Sequence, residues 1–265
     1  APGYNAGRDP DSLSNLMGAR DAPGEPGSFY HRLRSQLMED PSEAAPAPVA
    51  GWGRGAQRPP RGHRAASDSA NNRTRPTTDF DEEARKLWSR LNLDPNMSTG
   101  SPYNALDPVW RNPETGGTLY VGNEVAAKSI ALLEKHKVSH VVNCTDSIPN
   151  YHERDTGPWP ITYHRFDITS HYHRVRNDEE AVRFVQPMLS FVSQALGRGQ
   201  SVMVHCLAGA HRAGTTGIIC LMHFAKLNPR EATQLAKECR PIIDPICEFP
   251  ALLAKVDRGW KTMKR

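Results

Sequence analysis

The sequence predicts an α/β domain filling the C-terminal part of the chain, and three observations lead there. From Thr118 onward, short β-branched runs alternate with longer segments of helical periodicity. A strand-like run, SVMVHC (201–206), passes through a glycine-containing loop into an apolar helix. The first 80 residues, by contrast, carry no sustained apolar period and much of the proline. They cannot bury enough surface to offset the entropy of ordering them, so 1–80 is expected to be a disordered Pro/Gly/Arg-rich region.

Order is expected to begin at 81–92, DEEARKLWSRLN, where Ala84, Leu87, Trp88 and Leu91 share one helical face. The acids of its first turn suit the helix dipole. The next stretch, LDPNMSTGSPYNALDPVWRNPETGG, is dense in turn formers and reads as an irregular connector, pinned by Tyr103 and Trp110; helix and connector together make up 81–115. TLYVG is then a short strand, NEVAAKSIALLEKHK a helix, VSHVVNCT a second strand and ITYHRFDI (161–168) a third. After the polar loop TSHYHRVRN comes a helix from about Asp178 to Leu196, capped by Asn177 and expected to kink at Pro187. TTGIICLMHFAKL is a buried helix, and NPREA opens another with Asn228, Pro229 and Glu231 in a capping-box arrangement. A last helix is expected after Pro250.

Composition narrows the function classes. A formal charge of +4 is too small to imply a nucleic-acid partner for the whole chain. The exception is local: GWGRGAQRPPRGHR (51–64) holds four arginines and no acid, and between RNA binding and a solvated linker the linker is preferred. The five cysteines (144, 206, 220, 239 and 247) form no CxxC pair and no even-numbered secreted framework. They point to a reducing compartment, the cytoplasm first and the nucleus second. No apolar run is long enough to span a bilayer. His171 and His173 resemble a metal pair only superficially, since no third ligand stands at a matching spacing, and no metal or cofactor is expected.

The chemistry is concentrated in VHCLAGAHRAGTTG (204–217). A strand followed by a glycine loop and a helix N-terminus brings backbone N–H groups to a point, and the helix dipole adds positive potential. Cys206, at the start of that loop, is expected to ionise more readily than a free cysteine and to act as a nucleophile. Arg212 lies six positions on, far enough for the loop to curl and present a planar fork to two phosphoryl oxygens. Gly209 and Gly214 would let the backbone approach the anion without a Cβ in the way.

These residues resemble a known family. HCxxGxxR, here His205, Cys206, Gly209 and Arg212, is the signature of cysteine-dependent protein tyrosine and dual-specificity phosphatases. LYVGNEVAAKSIALLEKHKVSHVVNCTDSIPNY, ITYHRFDI, the helix before VMVHC, and EATQLAKECRPIIDP are similar, in order, to segments of the compact dual-specificity group. The resemblance implies a domain at 116–262 with three layers and a central mixed sheet flanked by helices. It also implies phosphorylated protein substrates, a phosphocysteine intermediate and no metal. Leu207, Ala208, Gly209, Ala210, His211 and Arg212 would bind the phosphoryl group, and an aspartate after ITYHRFDI would protonate the leaving oxygen.

Two positions depart from the family pattern. Ala213 stands where a Ser or Thr normally assists the cysteine as leaving group, with Thr215 and Thr216 as nearby substitutes. The family spacing from Tyr163 places Ser170 at the general-acid position. Asp167 is the nearest carboxylate and is taken as the acid; the other reading makes it a strand residue paired with Arg165 or Arg174. His205 is expected to orient loop backbone, His211 to line the rim, and Asn143 to tie loops together.

Overall fold

The sheet is assembled from β1 (Leu106–Arg111), β2 (Thr118–Gly122), β3 (Val138–Asn143), β4 (Thr162–Arg165) and β5 (Ser201–His205), in the order β1-β2-β5-β3-β4. β1 pairs antiparallel with β2, and the remaining pairs are parallel. This computed structural model describes residues 78–91, 93 and 103–263. The expected disordered region up to residue 77 and the arginine-rich stretch at 51–64 lie outside the described residues.

Alternation along the central strands divides the core. Leu119 and Val121 of β2 join Val202 and Val204 of β5 in one apolar cluster, while Tyr120 and Met203 face the other. Helices α2 (Glu124–Lys128) and α3 (Ile130–Lys135) supply Ala126, Ala127 and Leu133 to the second face. The first is covered by α5 (Asp178–Gly197), α6 (Arg212–Phe224), α7 (Pro229–Cys239) and α8 (Phe249–Met263). The result is the three-layer arrangement with a mixed sheet. Among the described residues no helix is long and apolar enough to cross a membrane.

Local chemistry sets the element boundaries. Asn123 caps α2 by accepting from the Ala126 amide at 3.0 Å. The segment predicted as one helix is two, because Ser129 adopts extended backbone between them and its hydroxyl caps α3. Asn177 caps α5 as expected, and α5 continues through Pro187 on its exposed side, where the carbonyl freed by proline can bond water. The predicted capping box of α7 is present, with Asn228 and Glu231 bonding each other's backbone amides. The polar loop at 169–177 is partly helical: a 3-10 turn, Ile168–Ser170, runs into the one-turn α4 (His171–Arg174).

The reading of 93–117 as an irregular connector is corrected over Leu106–Arg111. This stretch forms the edge strand β1, with a register shift between Pro108 and Trp110. Proline lacks the ladder donor and is tolerated on an edge next to a bulge, which is where Pro108 sits. The helix at the N-terminal end of the described region, α1 (Phe80–Arg90), buries Phe80, Ala84 and Leu87. Leu91, expected on the buried face, is 45% exposed; Phe80, one residue before the predicted start and one turn before Ala84, is buried instead.

Candidate active site

The C-terminal ends of β2, β3 and β5 meet at one edge of the sheet, with Gly122 and Asn143 both in register with His205. Open parallel sheets place ligands at this edge. The chain leaves β5 at Cys206, turns through Leu207–His211 and enters α6 at Arg212.

Every carbonyl from Leu207 to His211 is held from outside the loop or from within α6. The Glu124 amide donates to Leu207 O at 3.1 Å, and the Asp244 amide to Ala210 O at 3.2 Å. Arg240 Nη2 donates to Ala208 O at 3.1 Å and Nε to Gly209 O at 2.9 Å. The Thr215 amide and hydroxyl both donate to His211 O. In a planar trans peptide the N–H points opposite to the C=O. The amides that follow these carbonyls, those of Ala208 to Arg212, are therefore directed away from the carbonyls' partners. Gly209 makes the turn feasible: its φ is +65°, and a Cβ there would lie 2.5 Å from Gly122 O and 2.8 Å from Arg240 Nη2. A Cβ on Gly214 would press on the Ile243 side chain at 3.0 Å, so glycine there serves helix packing.

Arg240 is fully buried behind the loop. Besides its two loop carbonyls it donates to Asn104 O at 2.8 Å and pairs with Asp107 Oδ2 at 2.5 Å, with Tyr103 stacked 5.3 Å from its guanidinium carbon. Tyr103 accepts from Asn123 Nδ2 at 2.7 Å. Sequence reasoning missed this group. Tyr103 was expected to pin the connector, but nothing local marks Arg240 and Asp107 as partners, since 133 residues separate them.

Cys206 is 3% exposed and Arg212 5%. Burial works against the charge on Arg212, but the neighbouring Cys206 and then Asp81 outweigh it, so the guanidinium pKa is raised above its ordinary value. The structure thus brings Cys206 and Arg212 into one electrostatic neighbourhood. Arg212 Nη2 donates to Asp81 Oδ1 of α1, and its guanidinium carbon lies 5.9 Å from the centre of the Phe80 ring. Sequence reasoning did not place α1 here.

The remaining predicted residues fall around this centre. Among the described residues, the hydrogen bonds of the Asp167 carboxylate come from Thr169, the amide at 3.0 Å and the hydroxyl at 2.5 Å, as cap of the 3-10 turn. Neither arginine suggested as its partner holds it. Arg165 donates to the carbonyls of Thr145, Asp146 and Ile148, and Arg174 lies over the Phe184 ring. Ala213 is fully buried. Thr215 and Thr216 donate their hydroxyl protons to the carbonyls of His211 and Arg212, so their hydroxyls serve α6 backbone. His211 bonds Asp244 O through Nδ1 at 2.6 Å and is buried, so it anchors the loop to the segment before α8. His205 is fully buried, and desolvation brings its pKa down to about 4, leaving a neutral imidazole. Asn143 ties its loop as expected, donating to Ile148 O at 2.7 Å and accepting from the Thr145 hydroxyl at 2.8 Å. Cys144 and Cys220 are buried thiols whose pKa values burial raises.

Residues 119–258, more than half of the 265, match the family model described as "Dual specificity phosphatase, catalytic domain". The chain belongs to this family. Among curated relatives, the human dual specificity protein phosphatase 6 is 27% identical over 220 residues, covering 82% of this chain and 50% of its own length. The Slingshot homolog protein phosphatase of Xenopus laevis is 29% identical over 133 residues, or 49% of this chain and 18% of the relative. A mouse putative dual specificity phosphatase, crystallised with zinc tungstate, is 21% identical with a TM-score of 0.49, covering 63% of this chain and 94% of that one. The chain spans about half the length of the first of these relatives.

Proposed function

We propose that this dual-specificity phosphatase family member hydrolyses phosphotyrosine and phosphoserine or phosphothreonine on protein substrates through a phosphocysteine intermediate. The observation that carries the reading is the tethering of five consecutive loop carbonyls between Cys206 and the start of α6, four of them from outside the loop and the His211 carbonyl from within α6. Such a loop offers converging amides to the three equatorial oxygens of a phosphoryl group, and positioning with charge stabilisation is most of what phosphoryl transfer requires.

In this reading the Cys206 sulfur donates the electron pair of a new S–P bond while the bond from phosphorus to the substrate oxygen breaks. Amides from Leu207 to Arg212, together with the Arg212 guanidinium, hold the phosphoryl oxygens. Asp167, on the segment that follows β4, gives its proton to the leaving oxygen. Water then attacks phosphorus and gives a proton to the Asp167 carboxylate, the S–P bond breaks, and phosphate leaves with the thiolate and the Asp167 acid restored. His205 is fully buried and is given no proton-transfer role in this reading. The test compares release of phosphate from a phosphotyrosine peptide by the wild type and Cys206→Ser. Turnover in the wild type and its loss in the variant support the reading; equal rates end it.

A second reading, a slow phosphatase that mainly binds phosphorylated partners, draws on three features: Ala213 lacks a hydroxyl, Thr215 and Thr216 are committed to backbone carbonyls, and Ser170 donates to Asp167 O. Phosphopeptide binding without phosphate release by the wild type would favour it.

A further inference from the structure

We propose that Asp81 is an internal anionic ligand of the phosphate site, which a substrate phosphoryl group must displace from Arg212 before it can bind; the proposal rests on the phosphatase reading of that site. Arg212 is nearly fully buried, and one of its fork nitrogens, Nη2, is committed to Asp81 Oδ1, while Nε has no partner. A planar fork binds a phosphoryl group through two adjacent nitrogens. With Nη2 engaged by a carboxylate, the anion and Asp81 compete for the same donor.

The contact is built into the fold. Asp79 caps α1 by accepting from the Asp81 and Glu82 amides at 2.9 and 3.0 Å, which orients the first turn. Phe80 stacks on Phe249 with ring centres 4.8 Å apart, and Phe249 in turn lies 5.5 Å from the His171 ring of α4. Ala84 and Leu87 pack with Ala208, Ala210 and Ile242, so the helix is seated on the phosphate loop itself. This apolar seam holds the carboxylate over the arginine, whereas Glu82 and Glu83 of the same turn are bonded to Lys86. Asp81 is a specificity-determining residue in this sense: it sets how strongly a phosphoryl group must bind to enter, and α1 forms one wall of the entrance.

The experiment measures tungstate binding to the full chain by calorimetry, for the wild type, Asp81→Asn, Asp81→Ser and Glu82→Gln. Serine keeps a residue suited to a helix first turn, which guards against a result that merely reflects fraying. Loss of a competing charge-assisted hydrogen bond should tighten tungstate about tenfold in both Asp81 variants. Glu82→Gln should stay within about twofold of the wild type, since its change is a surface-charge change. Equal affinity in the wild type and the Asp81 variants overturns the proposal and leaves the phosphate site standing. An equal gain from Glu82→Gln overturns it too, because the effect would then be a general field. Absence of saturable tungstate binding in every chain overturns the proposal together with the reading beneath it.

Discussion

Arg240 offers the sharpest test of how the loop is held, because it is fully buried and bonds two loop carbonyls, a third carbonyl at Asn104 and the Asp107 carboxylate. Arg240→Met removes all of these and strands the Asp107 charge. Breaking one side of a buried ion pair costs about 3–5 kcal/mol. For a domain of this size that lowers Tm by roughly 10 °C. The two loop contacts, at about 1.5 kcal/mol each for charge-assisted bonds, should cost roughly a hundredfold in kcat/KM on an aryl phosphate if they position the amides. Stability and positioning are separated by the double variant Arg240→Met with Asp107→Leu, which removes the stranded charge and replaces the pair with apolar groups. It should recover at least half of the lost Tm while kcat/KM stays at the single variant's level. Recovery of activity together with Tm would show that Arg240 acts only through stability, and a single variant equal to wild type in both would refute the reasoning outright.

Three further outcomes are expected. Burial holds the His205 pKa at about 4 against an ordinary 6.5, so the neutral ring favours the fold; its contribution is complete above about pH 7 and is lost as the pH falls toward 4, because the unfolded chain takes up the proton first. Unfolding free energy should therefore fall between pH 7 and 4.5, by up to about 3 kcal/mol from this residue. His205→Gln should flatten that slope, and equal slopes would contradict the assignment. Gly209→Ala should abolish tungstate binding and lower stability by about 2 kcal/mol, since a non-glycine residue at positive φ is strained and its Cβ would meet Gly122 O; retained binding would show the loop can open. Asp167→Asn should slow substrates with poor leaving groups far more than those with good ones, and a uniform loss across a leaving-group series would remove Asp167 as proton donor.

How much of this was legible in the sequence depends on the range of the cause. The strands and helices from Thr118 onward follow from local patterning, and the caps at Asn177 and Asn228 from residue types acting over three positions. The Cys206 loop was legible because a short spacing encodes its geometry. β1 was hidden because Pro108 and the surrounding turn formers mask a strand that exists only by pairing with β2. The single helix expected over 123–137 failed at Ser129, whose side chain competes locally for the backbone. Arg240 behind the loop and Asp81 in front of it could not be read, since both contacts span more than 130 residues and leave no periodic trace.

The central claim is that the Cys206 sulfur and the Arg212 guanidinium serve one phosphoryl group. Acid-quenched turnover of a phosphotyrosine peptide, followed by mass analysis of the proteolytic fragment containing residue 206, tests it directly. Phosphate should be found on Cys206 in the wild type, with reduced labelling in Arg212→Lys and none in Cys206→Ser. Phosphate release by the wild type with no label on Cys206 at any quench time would contradict the account.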